Sequence, residues 1–336
     1  MASPQFISSK TSKLLIRLRM CNMYIGELAA LGTALCWVLS STTFEYTGKK
    51  VGSLVLNLMR LLVSFVIITV INFFITDGFR NIPLTMDATR ALFLSGIVGF
   101  VLGDMFLFQA FIEIGARLSM LLMALAPPIT AILGYFILNE SLTLFQFIGM
   151  LVTILGISIV ILGKEKGSSK VVVRHPLKGI FYAFLGAVGQ GLGLILSKIG
   201  VRDLNPFVAT EIRIFAGIIC FIGIITLTKN WPKFNKALKD RKVMAGITLG
   251  SLFGPVIGVS LSLVAVKYTS TAVASTLMAI VPVLIIPVAI VFFKEKIVPK
   301  EIFGSIVGTR CGDHVHPVIS QCEFHSFNCS ITLQPI

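Results

Sequence analysis

Long apolar runs, separated by short polar and basic segments, fill almost the whole chain. Runs of roughly 20 residues, enough to cross a hydrocarbon core, fall near 26–45, 54–75, 90–112, 117–138, 143–163, 178–198, 206–228, 243–266 and 270–293. Backbone in lipid must satisfy its own hydrogen bonds, and these runs are too long and too uniformly apolar for barrel strands. The pattern predicts an all-α bundle of membrane-spanning helices. Small residues are dense within the runs (Gly96, Gly99 and Gly103; Gly186, Gly189, Gly191 and Gly193), which suits close helix packing in lipid.

The pattern occurs twice. Leu122-Met123-Ala124-x-x-Pro127, followed by Glu140, returns 155 residues later as Leu277-Met278-Ala279-x-x-Pro282, followed by Glu295. Gly99, Gly103, Ala110 and Gly149 find Gly254, Gly258, Ala265 and Gly304 at the same offset. Earlier in each half, Gly26, Ala34, Leu39 and Arg60 match Gly179, Ala187, Leu192 and Arg213 at an offset of 153. The chain divides into an N-terminal extension (1–23), a first repeat (24–163), a linker (164–177), a second repeat (178–308) and a polar tail (309–336). Two related hydrophobic halves are the usual build of a secondary transporter.

Each repeat calls for five spans, and the second is short of one. The first ends in an apolar run from Gly149 to Leu162, whereas its counterpart starts at Gly304 and turns polar after Gly308. The tail carries His314, His316 and His325 with Cys311, Cys322 and Cys329. Two readings compete: a zinc site on Cys-x2-His spacings, or a displaced reading frame. We favour the second, because codons allowed for Arg310 to Val318, read one base later, can spell Gly-Val-Gly-Ile-Met-Phe-Ile-Leu-Leu. No metal is therefore expected, and the tenth helix is expected to be missing. Residues 1–22 lack the apolar core of a secretory signal. They read as an overextended start, with Met20 and Met23 as alternatives, or as a basic arm.

Composition agrees with the pattern. The chain is 55% hydrophobic and 13% charged, with a mean hydropathy of +0.92, far too apolar for a soluble protein of 336 residues. The net charge of +14 sits on loops between spans, so anionic lipid headgroups explain it better than nucleic acid. Loop Lys and Arg divide nine against seventeen between the two sides, the larger share including the linker. The positive-inside rule then puts the linker side in the cytoplasm. Cys21, Cys36 and Cys220 are isolated and suggest no disulfide framework. No phosphate-binding loop appears, so ATP-driven transport is not expected, and no cofactor is implied.

Taken together, the glycine-rich third span, Leu-Met-Ala-x-x-Pro in the fourth, the Glu after it and Gly149/Gly304 opening the fifth resemble the drug/metabolite transporter superfamily, in its EamA-type ten-helix branch. The resemblance covers about residues 24–308. It implies two five-helix repeats of inverted orientation around a central cavity, carrying a small metabolite, often outward, in the cell membrane. It also implies the N-terminus inside, against the charge count.

Polar groups inside apolar spans are the candidates for chemistry, since each needs a partner or a cavity. Asp104 in span three comes first, to bind a substrate amine, to carry a proton, or to pair with Arg60. Arg60 and Arg213 are repeat mates whose long side chains read as snorkelling to the interface rather than binding an anion. Trp37 and Gln190 are repeat mates that meet near the centre if either lines the cavity; Ser40, Ser41 and Gln109 are further candidates. Pro127, Pro128, Pro282 and Pro287 interrupt spans four and nine, as hinges or as static bends. Glu140 and Glu295 are explained by charge at a helix N-terminus. The expected function is secondary transport of a small metabolite across the cytoplasmic membrane, outward, by alternating access between two inverted repeats, with the small-molecule substrate and membrane lipid as partners. The alternatives are an inactive truncated product of such a gene and a lipid-modifying membrane enzyme. Such an enzyme usually needs His, Cys or paired carboxylates at the membrane interface, and outside the tail the sequence offers only His175 there, in the linker.

Overall fold

The computed structural model describes residues 4–78, 82–140, 144, 147–148, 151, 155, 162–164, 171–173 and 176–285. Among them six helices are long and apolar enough to cross a membrane: Tyr24–Val51, Ser53–Ile75, Met86–Leu138, Leu177–Val201, Pro206–Leu227 and Arg241–Tyr268. The first span belongs to α1 (Pro4–Val51), a single helix that continues the N-terminal extension into the bundle. α2 (Ser53–Ile75) follows after Gly52. Met86–Leu138 holds α3 (Met86–Gly96), a π-turn over Ile97–Gly103, α4 (Asp104–Leu122) and α5 (Ala126–Leu138). Two spans were expected here, and the break lies at Gly115, whose φ of 81° and ψ of 159° leave the helical region. Only glycine takes that backbone without steric cost.

In the second half come α6 (Leu177–Val201), α7 (Pro206–Leu227) and the short α8 (Trp231–Lys239). They are followed by α9 (Arg241–Ser251), a second π-turn over Leu252–Gly258, α10 (Val259–Tyr268) and α11 (Thr271–Met278). Helix starts follow local chemistry. Asp240 accepts the N–H groups of Lys242 and Val243, Ser270 accepts from Val273, and Asn205 accepts from Phe207 with Pro206 at the first helical position. α8 turns Phe234 and Ala237 inward and opens on Trp231, whose ring meets Phe234 edge-on at 5.4 Å.

The duplication is visible in the backbone. α2 and α7 begin 153 residues apart; α3 and α9, and the two π-turns, begin and end 155 apart. Each repeat's first span packs along the other repeat's third, and the ends that meet define the symmetry. A Cβ on Gly26, at the start of the first span, would lie 3.3 Å from Thr269 at the end of α10. A Cβ on its mate Gly179 would lie 2.5 Å from Ile114, the mate of Thr269, at the end of the third span. The third spans of the two repeats therefore end on opposite sides of the bundle, which makes the repeats inverted.

Glycine sets the central contact. α6 lies so close to the π-turn that a Cβ on Gly189 would fall 2.6 Å from the Gly103 Cα, and one on Gly193 2.9 Å from the Gly99 Cα. In lipid such van der Waals packing, rather than apolar burial, holds helices together. The outer surface stays apolar, with Phe74, Phe136 and Leu227 exposed as lipid-facing groups.

One small addition departs from an all-α chain. Within the linker region, β1 (Leu162–Lys164) pairs antiparallel with β2 (Val171–Val173), Gly163 opposite Val172. The β-branched Val171-Val172-Val173 run favours a strand. Most of the fifth span, Pro287, Glu295, the Gly304 segment and the 309–336 tail lie outside the described residues, and with them the expectation of a missing tenth helix.

Candidate functional site

Arg60 stands near the middle of α2 and is 2% exposed; its mate Arg213 in α7 is 4% exposed. Neither snorkels. Both guanidiniums lie buried among interior groups, each over the Phe100 ring. Arg60 donates through Nη2 to Asp104 Oδ2 and through Nε to Asn57 Oδ1 at 2.9 Å. Its cation also lies over the rings of Phe108 (4.6 Å), Phe100 (5.5 Å) and Phe44 (5.8 Å).

Asp104 is buried at the exit of the first π-turn, where it opens α4. Its second carboxylate oxygen, Oδ1, accepts from Gln190 Nε2 of the other repeat. Pairing with Arg60, one of the roles open from the sequence, is thus present, with Gln190 as a further donor. A buried carboxylate demands such partners, since an isolated charge in a low-dielectric interior is very costly. Asn57 completes the base of the cluster by donating to the Ser53 carbonyl at 3.0 Å.

Arg60, Asp104 and Gln190 border a cavity of about 110 Å³ between the repeats. A buried water needs on the order of 10–15 Å³ of such space, so several waters or the body of a small solute fit. Both repeats supply the lining. Trp37, Ser40 and Ser41 come from α1, Gln190 from α6, and Pro127 and Pro282 from the two fourth spans, with Arg60, Asp104 and Arg213 as the charged members. Ser40 and Ser41 donate to their own helix at the Trp37 and Val38 carbonyls. Gln109 is placed differently. It accepts from Ser53 at 2.8 Å and donates to Glu113 at 3.1 Å, away from the lining residues. Pro127 and Pro128 sit in the first turn of α5, where a missing N–H removes no hydrogen bond of that helix.

The repeat symmetry is broken in the cavity chemistry. Where repeat one has Arg60, Asp104 and Asn57, repeat two has Arg213, Val259 and Thr210. Where Gln190 reaches Asp104, its mate Trp37 meets an apolar wall beside Gly258. Thr210 bonds the Pro206 carbonyl and Ser260 instead. The buried Nε of Arg213 consequently has no hydrogen-bond partner among the described residues, and its cation rests over Phe100 at 4.8 Å.

Sequence reasoning missed two carboxylates. Glu211 in α7 accepts from Thr69 (2.5 Å) and Asn72 (2.6 Å) of α2. Glu45, buried near the end of α1, accepts the N–H of Ala116 at 3.0 Å, just past the Gly115 break. Both are acidic groups inside or at the end of an apolar run, the signal that singled out Asp104. Glu140 does serve a helix N-terminus, as its position suggested, but that of α11 in the other repeat.

Known proteins match this arrangement. The profile of the EamA-like transporter family matches residues 24–162 and 177–309, once per repeat. An uncharacterized transporter of Clostridium kluyveri is 25% identical over 235 residues, 68% of this chain and 72% of that protein. The uncharacterized transporter YxxF of Bacillus subtilis is 27% identical over 120 residues, 36% of this chain and 37% of that one. A crystal structure with a TM-score of 0.59 and 17% identity covers 86% of this chain and 98% of its own, and so shares the fold. A bundle of apolar spans, duplicated and inverted, with a polar cavity between the copies, has its family: the chain is a multi-pass membrane protein belonging to the EamA-like transporter family.

Proposed function

We propose that the protein is a secondary transporter that exports a small metabolite across the cell membrane by alternating access between its two repeats. The observation that carries this reading is the buried Arg60–Asp104–Gln190 cluster, which joins the repeats at the wall of the cavity. Charge in the interior of a membrane bundle is retained where it serves a pathway or a coupling step. A contact that ties one repeat to the other there is suited to change as the repeats rock. Asp104 would carry the coupling charge, Trp37, Ser40, Ser41 and Gln190 would contact the substrate, and the Pro127 and Pro282 regions would flex. Substrate and bulk lipid are the partners of this reading; no cofactor and no covalent chemistry enter it.

The test is metabolite profiling of cells that express the chain as written, a version whose segment after Gly308 continues as an apolar helix, or an empty vector. Export predicts one or a few metabolites depleted inside and enriched in the medium. Asp104→Asn, at equal membrane abundance, should abolish the difference. Profiles matching the empty vector for both expressed versions would sink the proposal.

A further inference from the structure

Among the described residues the second repeat holds a cavity cation with no carboxylate bonded to it, and we infer that the carboxylate of an organic monoanion substrate supplies it at Arg213. This rests on the transporter reading above and names the class of its cargo. Among the described cavity residues, Arg60 and Arg213 face a single carboxylate, Asp104, which is already engaged by Arg60 and Gln190. The described lining therefore carries one uncompensated positive charge. Burying such a charge without a partner is unfavourable, so the interior favours an anion over a neutral or cationic guest.

Repeat symmetry says where that anion sits. In repeat one, Asp104 answers Arg60 from the first position of α4. The equivalent position in α10 is Val259, also on the cavity wall and 9% exposed. α7 and α10 touch at this level, the Thr210 and Ser260 hydroxyls lying 3.2 Å apart. The Nε that Asn57 satisfies in repeat one is orphaned on Arg213. A carboxylate offers two acceptors in the plane that a guanidinium prefers, and one negative charge balances the surplus. Trp37, Phe100 and Val259 leave the rest of the guest an apolar surface, which suits an organic body better than a bare halide or a phosphate dianion.

The probe is benzoate, compared with benzamide and benzylammonium, in thermal unfolding of the purified full chain in a chloride buffer. Benzoate should raise the Tm of the wild type; its neutral and cationic analogues at equal concentration should not. Losing a charge-assisted contact should raise the benzoate concentration needed by Arg213→Gln by about tenfold or more, with Arg213→Lys in between. Val259→Asp provides a second arm that keeps the cation and adds an internal carboxylate. It should raise the Tm without ligand and erase the response to benzoate. Equal shifts with benzoate and benzamide, no benzoate shift in the wild type, or a full response in Val259→Asp would overturn the assignment. A benzoate shift that depends on Arg213, with no flux from proteoliposomes, would leave the site standing and count against transport instead.

Discussion

Glu140 and Thr271 are joined across the two repeats: the Thr271 hydroxyl donates to Glu140 Oε2 at 2.6 Å, and its backbone N–H to the same oxygen at 3.1 Å. Lys198 adds a third donor at 2.7 Å while also reaching the Thr269 carbonyl at 2.9 Å. One carboxylate thereby caps α11, ties it to the end of α5 and fixes the end of α6. Glu45 does the corresponding work at Ala116, the mate of Thr271, and Glu45 is itself the mate of Lys198. Both fourth spans thus begin on a glutamate from elsewhere in the bundle, reached by different routes.

Glu140→Gln keeps the shape but removes the charge, and it should lower stability by about 1.5–3 kcal/mol, the range for hydrogen bonds to a charged group. Thermal unfolding in detergent checks this. A Tm equal to that of the wild type would show that the tie adds nothing.

Arg60 and Asp104 should behave as a unit. Removing one partner of a buried pair typically costs about 3–5 kcal/mol, because the other charge is stranded. Arg60→Gln alone should therefore sharply reduce membrane yield. Combining it with Asp104→Asn should restore part of the loss, the signature of coupling in a double-mutant cycle. Additive losses would separate the two residues.

The spans and their duplication were legible in the sequence because each rests on a local rule, apolar length and a repeated register; the meeting of Asp104 with Arg60 was one of several roles left open, and Arg60 itself read as snorkelling. What escaped depends on three-dimensional neighbours. The sequence shows Arg60 and Arg213 as equals. Only their surroundings, Asn57 against Thr210 and Asp104 against Val259, leave one satisfied and the other orphaned. Gln109 looks like Gln190 along the chain, yet it faces Ser53 and Glu113 rather than the cavity. The partner of Glu140 lies 131 residues away and belongs to the other repeat.

That difference between glutamines is measurable. Gln109→Ala should leave flux of the exported metabolite within about twofold of wild type, since the hydrogen bonds it loses are neutral or exposed ones of small net value. Gln190→Ala removes a donor from the buried Asp104 carboxylate and should cut flux about tenfold or more. Equal effects from the two would mean that the cavity wall has been drawn in the wrong place.

The glycine seam predicts a steep size dependence. A Cβ on Gly193 would approach the Gly99 Cα to 2.9 Å and its N to 3.1 Å, backbone atoms that cannot move aside singly. Gly193→Val should therefore cost at least the roughly 1–3 kcal/mol of ordinary overpacking and lower membrane abundance. A Cβ on Gly223 would meet nothing within 4 Å. Gly223→Ala should be neutral or stabilising by up to about 1 kcal/mol, through helix propensity. Abundance and Tm of the two variants, measured together, decide this; a tolerated Gly193→Val would contradict the close approach of the helices.

Pro255 lies inside the second π-turn and invites the reading that proline causes it. The first π-turn argues otherwise, because its equivalent position is Phe100 and the turn has the same length. The two segments share glycines instead, at Gly99 and Gly254 and at Gly103 and Gly258. Gly254 lies against Ser40 and Phe44, and Gly258 against Trp37, so neighbouring helices press on the turn where it lacks side chains. Packing of this kind can hold a π-turn against the ordinary α-helical ladder. Pro255→Ala should therefore retain the turn and change stability by less than about 1 kcal/mol, well short of the roughly 3 kcal/mol that separates proline from alanine in a regular helix interior. Gly258→Leu should be strongly destabilising, since its Cβ would meet Trp37 at 3.0 Å and the Phe253 carbonyl at 2.7 Å. Thermal unfolding of both variants tests the argument. A gain of several kcal/mol in Pro255→Ala would mean that proline, not packing, imposes the π-turn.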